Sequence, residues 1–202
     1  MENQFTAKEK NKIHKAIRKK YKKVARSPDG LFKYPTGRAG LETLQYDNEL
    51  IRKLPESVAA SFCGVGNPFS LGRIFEKEAV LDVGCGTGVD TIIAALMIGP
   101  AGSAVGIDII SEMLEKAGNN LSEMGLNNIS FQQASPENMP FADEYFDVVI
   151  SNGAINLVPL KVKAFSEIYR VLKPAGRLML ADNVLIGDMP EDMKQIIKSW
   201  SR

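Results

Sequence analysis

Five short apolar runs punctuate this chain, and most of the stretches between them repeat their apolar residues every three or four positions. The runs fall at 80–83, 104–108, 129–132, 147–152 and 177–182 and read as strands of a buried sheet. The stretch 89–98 is apolar along its length and stops at Gly99-Pro100, which predicts a helix. From 111 to 124 a stripe of Met113, Leu114, Ala117, Leu121 and Met124 predicts a second, with Ser111 as its cap and Gly125 as its stop. A third, over 161–172, turns Val162, Phe165, Ile168, Tyr169 and Leu172 inward. At the start of the chain, Thr6 and Glu9 have capping-box spacing, and Ile13, Ile17, Tyr21 and Val24 share one helix face. Near the end, Asp188 and Pro190 open a last helix carrying Met193, Ile196, Ile197 and Trp200. Alternating strand and helix predicts an α/β fold: a parallel sheet with right-handed crossovers. The length suits one domain, 76–202, with an appendage, 1–75, read as a helical and loop lid.

The first strand runs into Gly84-Cys85-Gly86-Thr87-Gly88 and then directly into a helix. Glycine at every second position strips the turn of β-carbons, so that a ligand can approach bare backbone. The helix N-terminus adds free N–H groups and a partial positive charge. A dinucleotide turn would read G-x-G-x-x-G; here the third glycine comes one residue early, and Val89 stands in its place. Asp82 precedes the turn and Asp90 follows it. Carboxylates repel a pyrophosphate and suit a ligand that carries an ammonium and a sulfonium. S-adenosylmethionine is such a ligand. Asp108 ends the next strand, 24 residues beyond Gly84, where a carboxylate can accept from both ribose hydroxyls. Ile109 is placed to cover an adenine face, and Met113 is either a neighbour of the adenosine or a core residue.

The run Asp82-x-Gly84-x-Gly86-x-Gly88 resembles the first motif of the class I S-adenosylmethionine-dependent methyltransferases, and Val171-Leu172-Lys173-Pro174-x-Gly176-Arg177 resembles another. The resemblance implies a Rossmann-like sheet of order 3-2-1-4-5, with the methyl donor held where strands 1 and 4 part. It places the adenine beside Ser135 and Pro136, where the class often has an Asp in place of the serine. It also places Asn152 and Gly153, at the tip of the fourth strand, beside the donor. With Cys85 and Thr87 of the turn, these complete the expected cofactor-binding set. Tyr46, Leu54-Pro55 and the loop Cys63-Gly64-Val65-Gly66-Asn67-Pro68 are similar to the region before the first motif in the arsenite methyltransferases. That family binds trivalent arsenic through cysteine thiolates. Its loop cysteine falls at Val65 here and its cysteine after the fourth strand at Gly153, so arsenite is not the expected acceptor. The class also adds a strand hairpin after the fifth strand, for which the chain has no counterpart, so that strand's edge is expected to pair with a second copy or lie under the last helix.

Charge changes the picture only at the start. Residues 1–26 hold ten Lys/Arg against two Glu, a net +8, while the remainder carries −7. A basic helix can serve nucleic acid, but stacking aromatics are nearly absent from it, and Ser151-Asn152-Gly153-Ala154 lacks the tip of an RNA methyltransferase. A lid with solvated lysines is the preferred reading, with the single histidine, His14, on its solvent side. Cys63 and Cys85 have no metal-ligand spacing, so no metal is expected. No apolar run reaches membrane-spanning length and no signal core precedes the body, which predicts a cytoplasmic protein. Methyl transfer to a small molecule is the expected activity. A donor-binding subunit that works only with a partner is the alternative.

Overall fold

The computed structural model describes residues 6–184 and Ile186. The last helix expected around Trp200, and the cover it would give the fifth strand, lie outside the described residues.

Five parallel strands form one sheet: β1 (Ala79–Val83), β2 (Ser103–Asp108), β3 (Ile129–Gln133), β4 (Phe146–Asn152) and β5 (Leu172–Ala181). Their order is β3-β2-β1-β4-β5, as expected. No strand hairpin follows β5 among the described residues. The chain moves outward from β1 in one direction through β2 and β3, then returns to β4 and moves the other way. Right-handed crossovers therefore put the helix after β1 and the helix after β4 on opposite faces. Alternation along β1 shows this directly. Val80 packs with Ala94, Ala95 and Ile98 of α5 (Val89–Ile98), while Leu81 and Val83 pack with Ala164, Ile168 and Val171 of α7 (Lys161–Val171). The carboxyl ends of β1 and β4 part at the centre, leaving a crevice.

Before the sheet come α1 (Ala7–Val24), α2 (Gly37–Thr43), α3 (Asn48–Arg52) and α4 (Glu56–Ala59). The capping box of Thr6 and Glu9 is formed. Ile13, Ile17 and Val24 of α1 bury themselves against Ile110 and against Met113 of α6 (Ser111–Met124). Leu41, Tyr46, Ile51, Val58 and Phe62 pack on Val89, Ile92 and Ile93 of α5. The N-terminal segment thus shares two of its clusters with the sheet layer. No helix among the described residues is long and apolar enough to cross a membrane.

Three local expectations need correction. Ser111 is not a cap: Ile110 holds that position without a side-chain bond, and the Asp108 carboxylate accepts from the Ile110 N–H instead, at 2.8 Å. The run 173–176 does not precede β5 but lies within it. Phe146 pairs with Leu172 and Val148 with Arg177, so the residues between them bulge out. The third concerns α7, which carries two apolar stripes. Ala164, Ile168 and Val171 face the sheet, because a small residue at 164 allows close approach, and Val162, Phe165 and Tyr169 face outward. Tyr169 is 84% exposed.

This orientation of α7 predicts that Ile168→Ala lowers unfolding free energy by about 2–5 kcal/mol, whereas Tyr169→Ala changes it by no more than about 0.5 kcal/mol. Urea unfolding of the two variants measures the difference. Equal losses would mean that the helix is rotated from the position described.

Candidate functional site

The glycine turn after β1 is fastened to β2. The Gly84 and Cys85 N–H groups both donate to the Ile107 carbonyl, at 2.8 and 2.9 Å, and the Gly86 N–H donates to the Asp108 carboxylate at 3.0 Å. All three glycines have positive φ, at 75°, 54° and 78°. Their bare positions serve different ends. A β-carbon on Gly84 would stand 2.2 Å from that of Ala154, and one on Gly88 would stand 2.5 Å from the Phe131 ring. Protein fills both places. A β-carbon on Gly86 would meet only the tip of Met113, at 3.0 Å. Gly86 alone keeps its backbone bare toward open space.

That space is a cavity of about 640 Å³ between the turn and the N-terminal segment. Of the residues expected at a cofactor site, Asp82, Gly84, Cys85, Gly86, Thr87 and Asp90 line it. So do Asp108, Ile109, Met113, Ser135, Pro136, Asn152 and Gly153. Gly88 does not; it caps α5 in the left-handed conformation, packed on Phe131. Ser135 is partly occupied, its hydroxyl accepting from the Glu137 N–H at 3.2 Å. His14 is exposed at the rim. The roof was not expected in detail: Lys20, Tyr21, Phe32, Tyr34 and Cys63 all line the same cavity. Tyr21 had shown itself in the sequence only as a member of an apolar stripe.

Three carboxylates converge here. Asp82 is buried and accepts from the Thr91 hydroxyl at 2.6 Å. Asp90 accepts from the Tyr46 hydroxyl at 2.8 Å and from the Asn152 amide at 2.9 Å. Asp108 accepts from the Gly86 and Ile110 backbone. Among the described residues no salt bridge reaches any of the three. Burial without a cation disfavours the charged form. It pushes Asp90 and Asp108 up to about 6, and it raises Asp82 well above the ordinary carboxylate range, with the Asp90 charge adding to the effect.

Asn152 works through its side chain as well as its position. Its carbonyl accepts from the Val65 and Gly66 N–H groups at 2.8 and 3.1 Å, and its amide donates to the Gly66 carbonyl at 2.8 Å. The loop 64–66 is thereby pinned to the tip of β4. Gly64 must stay bare, since a β-carbon there would lie 2.2 Å from the Asn152 amide nitrogen. The Asp90 and Tyr46 partners of Asn152 carry no spacing signal, so the network could not be read from the chain. The same pinning sets Val65 opposite Gly153: a β-carbon on Gly153 would lie 3.2 Å from a Val65 methyl. The two positions where the arsenite methyltransferases resemble this chain but carry cysteines therefore face each other, and here they present hydrocarbon and bare backbone.

Comparison with known proteins agrees with this geometry. The arsenite methyltransferase of Halobacterium salinarum is 36% identical over 159 residues, which cover 79% of this chain and 40% of that protein. The ubiquinone/menaquinone biosynthesis C-methyltransferase UbiE of Haemophilus ducreyi is 34% identical over 148 residues, covering 66% of this chain and 57% of that protein. Among solved structures, CrArsM, an arsenic(III) S-adenosylmethionine methyltransferase from Chlamydomonas reinhardtii, superposes with a TM-score of 0.56 at 33% identity, over 74% of this chain and 50% of that one. The chain thus spans about half the length of the curated relatives it matches. The methyltransferase-domain family matches residues 74–202. From the glycine turn to the end of the sheet, this chain belongs to the methyltransferase-domain family.

Proposed function

We propose that the chain binds S-adenosylmethionine over the Gly86 turn and transfers its methyl group to a small-molecule acceptor. One observation carries the reading: Asp82, Asp90 and Asp108 line one cavity, the first two buried and the third half-buried, and no salt bridge between described residues reaches them. A ligand with ammonium and sulfonium charges supplies what the site lacks, and a pyrophosphate would be repelled. When bound, the donor supplies a methyl carbon open to direct displacement, so the protein's work is alignment and exclusion of water. Each Asp108 oxygen already holds one backbone N–H and keeps capacity for a ribose hydroxyl. The loop 64–66, held by Asn152, and α1 line the chamber on its N-terminal side. Relatives named as arsenite methyltransferases do not extend arsenite to this chain, because Val65 and Gly153 offer no soft ligand. The outer edge of β5 is unpaired among the described residues and Leu178 is partly exposed beside it, which supports self-association there.

Calorimetry with S-adenosylhomocysteine tests the donor reading. Asp108→Ala should weaken binding by about 2–4 kcal/mol through loss of two charge-assisted hydrogen bonds, and Ser135→Ala by about 0.5–1.5 kcal/mol. Equal losses would remove the ribose role from Asp108.

Acidity gives a second test. The folded chain holds the Asp90 and Asp108 protons near pH 6, above their ordinary 3.8, so the ionised pair lowers apo stability. That penalty is absent below the unfolded value and grows as pH rises through about 6. A cationic donor requires the ionised forms, so S-adenosylmethionine affinity should fall as pH drops from about 7.5 to about 5.5. Affinity that is flat over this span would contradict the electrostatic reading.

Methylation assays on arsenite test the substrate. The unaltered chain should give no methylated arsenic, and its production would overturn the argument from Val65 and Gly153.

A further inference from the structure

The solvated cations of α1 are not scattered. Lys8, Lys12, Lys15, Lys19, Lys22 and Arg26 follow one another at intervals of three or four residues along α1 and just past its end, and all six are exposed. That spacing puts them on one side of a helix. The opposite side is the one that Ile13, Ile17 and Val24 bury against Ile110 and Met113, so packing on the body holds the basic row outward. At 1.5 Å per residue the row is about 27 Å long. Among the described residues of α1 no large apolar side chain is exposed.

Two acids stand near the row. Glu9 is engaged in the Thr6 capping box, and Glu112 of α6 meets Lys22 at 2.6 Å and Arg18, on the flank, at 3.9 Å. The chain beyond residue 26 carries a net −7. An anionic plane therefore attracts α1 and repels the acidic body behind it, which orients the molecule. His14 and Arg18, on the flank of the same helix, line the cavity, so the basic row and the cavity share α1 as a wall. A straight row meets a plane along its whole length, whereas the surface of a nucleic-acid duplex curves away from it. The row also carries no aromatic side chain on which a base could stack.

We propose that α1 docks the chain on the surface of a bilayer containing anionic phospholipid, with the basic row against the headgroups. The docking is electrostatic. Because the apolar side of α1 is committed to the protein core, nothing inserts, and salt reverses the binding. Each cation held at an anionic leaflet strengthens binding by about fivefold, and a row of six matches the basic clusters that hold phosphatidylserine. The cavity rim at His14 then lies beside the headgroups. This surface stands apart from the methyl-transfer reading and is tested without any methyl donor.

Co-sedimentation of the full chain with vesicles tests the proposal. One set is phosphatidylcholine alone, and the other contains about 30% phosphatidylserine. The chain should bind the anionic vesicles at about 0.1 M salt, leave them at about 0.5 M, and ignore the neutral ones. Lys12→Gln/Lys15→Gln/Lys19→Gln should weaken binding about 100-fold. Lys53→Gln/Lys77→Gln/Lys163→Gln removes the same charge from exposed positions off the row and should weaken it by no more than about threefold. Urea midpoints report whether each variant is folded. If the α1 variant unfolds, Lys8→Gln/Arg26→Gln at the ends of the row replaces it, with a loss of about 25-fold expected. No binding to anionic vesicles, equal binding to neutral ones, binding that survives high salt, or equal losses in the two triple variants would each overturn the proposal. Tighter binding to duplex DNA than to the vesicles at the same salt would overturn it too, by assigning the row to nucleic acid.

Discussion

One amide side chain ties the site together. Asn152, at the tip of β4, holds the backbone of 65 and 66 with its carbonyl and Asp90 of α5 with its amide. Three segments distant in sequence meet at these bonds: the N-terminal loop, the helix after the glycine turn and the central strand. Without Asn152 two backbone N–H groups would lose a shared partner, and Asp90 would keep only Tyr46. Tyr46 is in turn held edge-on between Phe62 and Phe69, so the polar contact sits in an apolar collar. Low local polarity strengthens each bond and raises the penalty of breaking one.

The collar also sets the electrostatics. Carboxylates that would be ordinary at a surface become expensive to ionise here. This arrangement opposes stability in the empty chain and favours a cationic ligand.

Much of this was legible from residue types. The five apolar runs, the glycine turn and the acid at the end of β2 each follow from local rules, and the sheet order followed from the resemblance they carry. The glycines were read as one device, however, and only contacts with Ala154 and Phe131 show that Gly84 and Gly88 make room for protein rather than ligand. Periodicity could not choose between two apolar stripes on α7, because what decides is the small volume of Ala164 against the sheet. Nor could it show that Tyr21 lines a cavity, since a tyrosine on an apolar stripe reads as core. The Asn152 network depends on partners 62 to 106 residues away, beyond the reach of any local pattern.

The central claim is that the bare backbone at Gly86 and the carboxylates of Asp82, Asp90 and Asp108 together hold the methyl donor. A crystal structure of the chain grown with S-adenosylhomocysteine tests it most directly. The account predicts the nucleoside against Gly86 with its ribose hydroxyls on Asp108, and the amino-acid end directed toward Asp82 and Asp90. Density for the ligand elsewhere, or an Asp108 that makes no contact with the ribose, would contradict it.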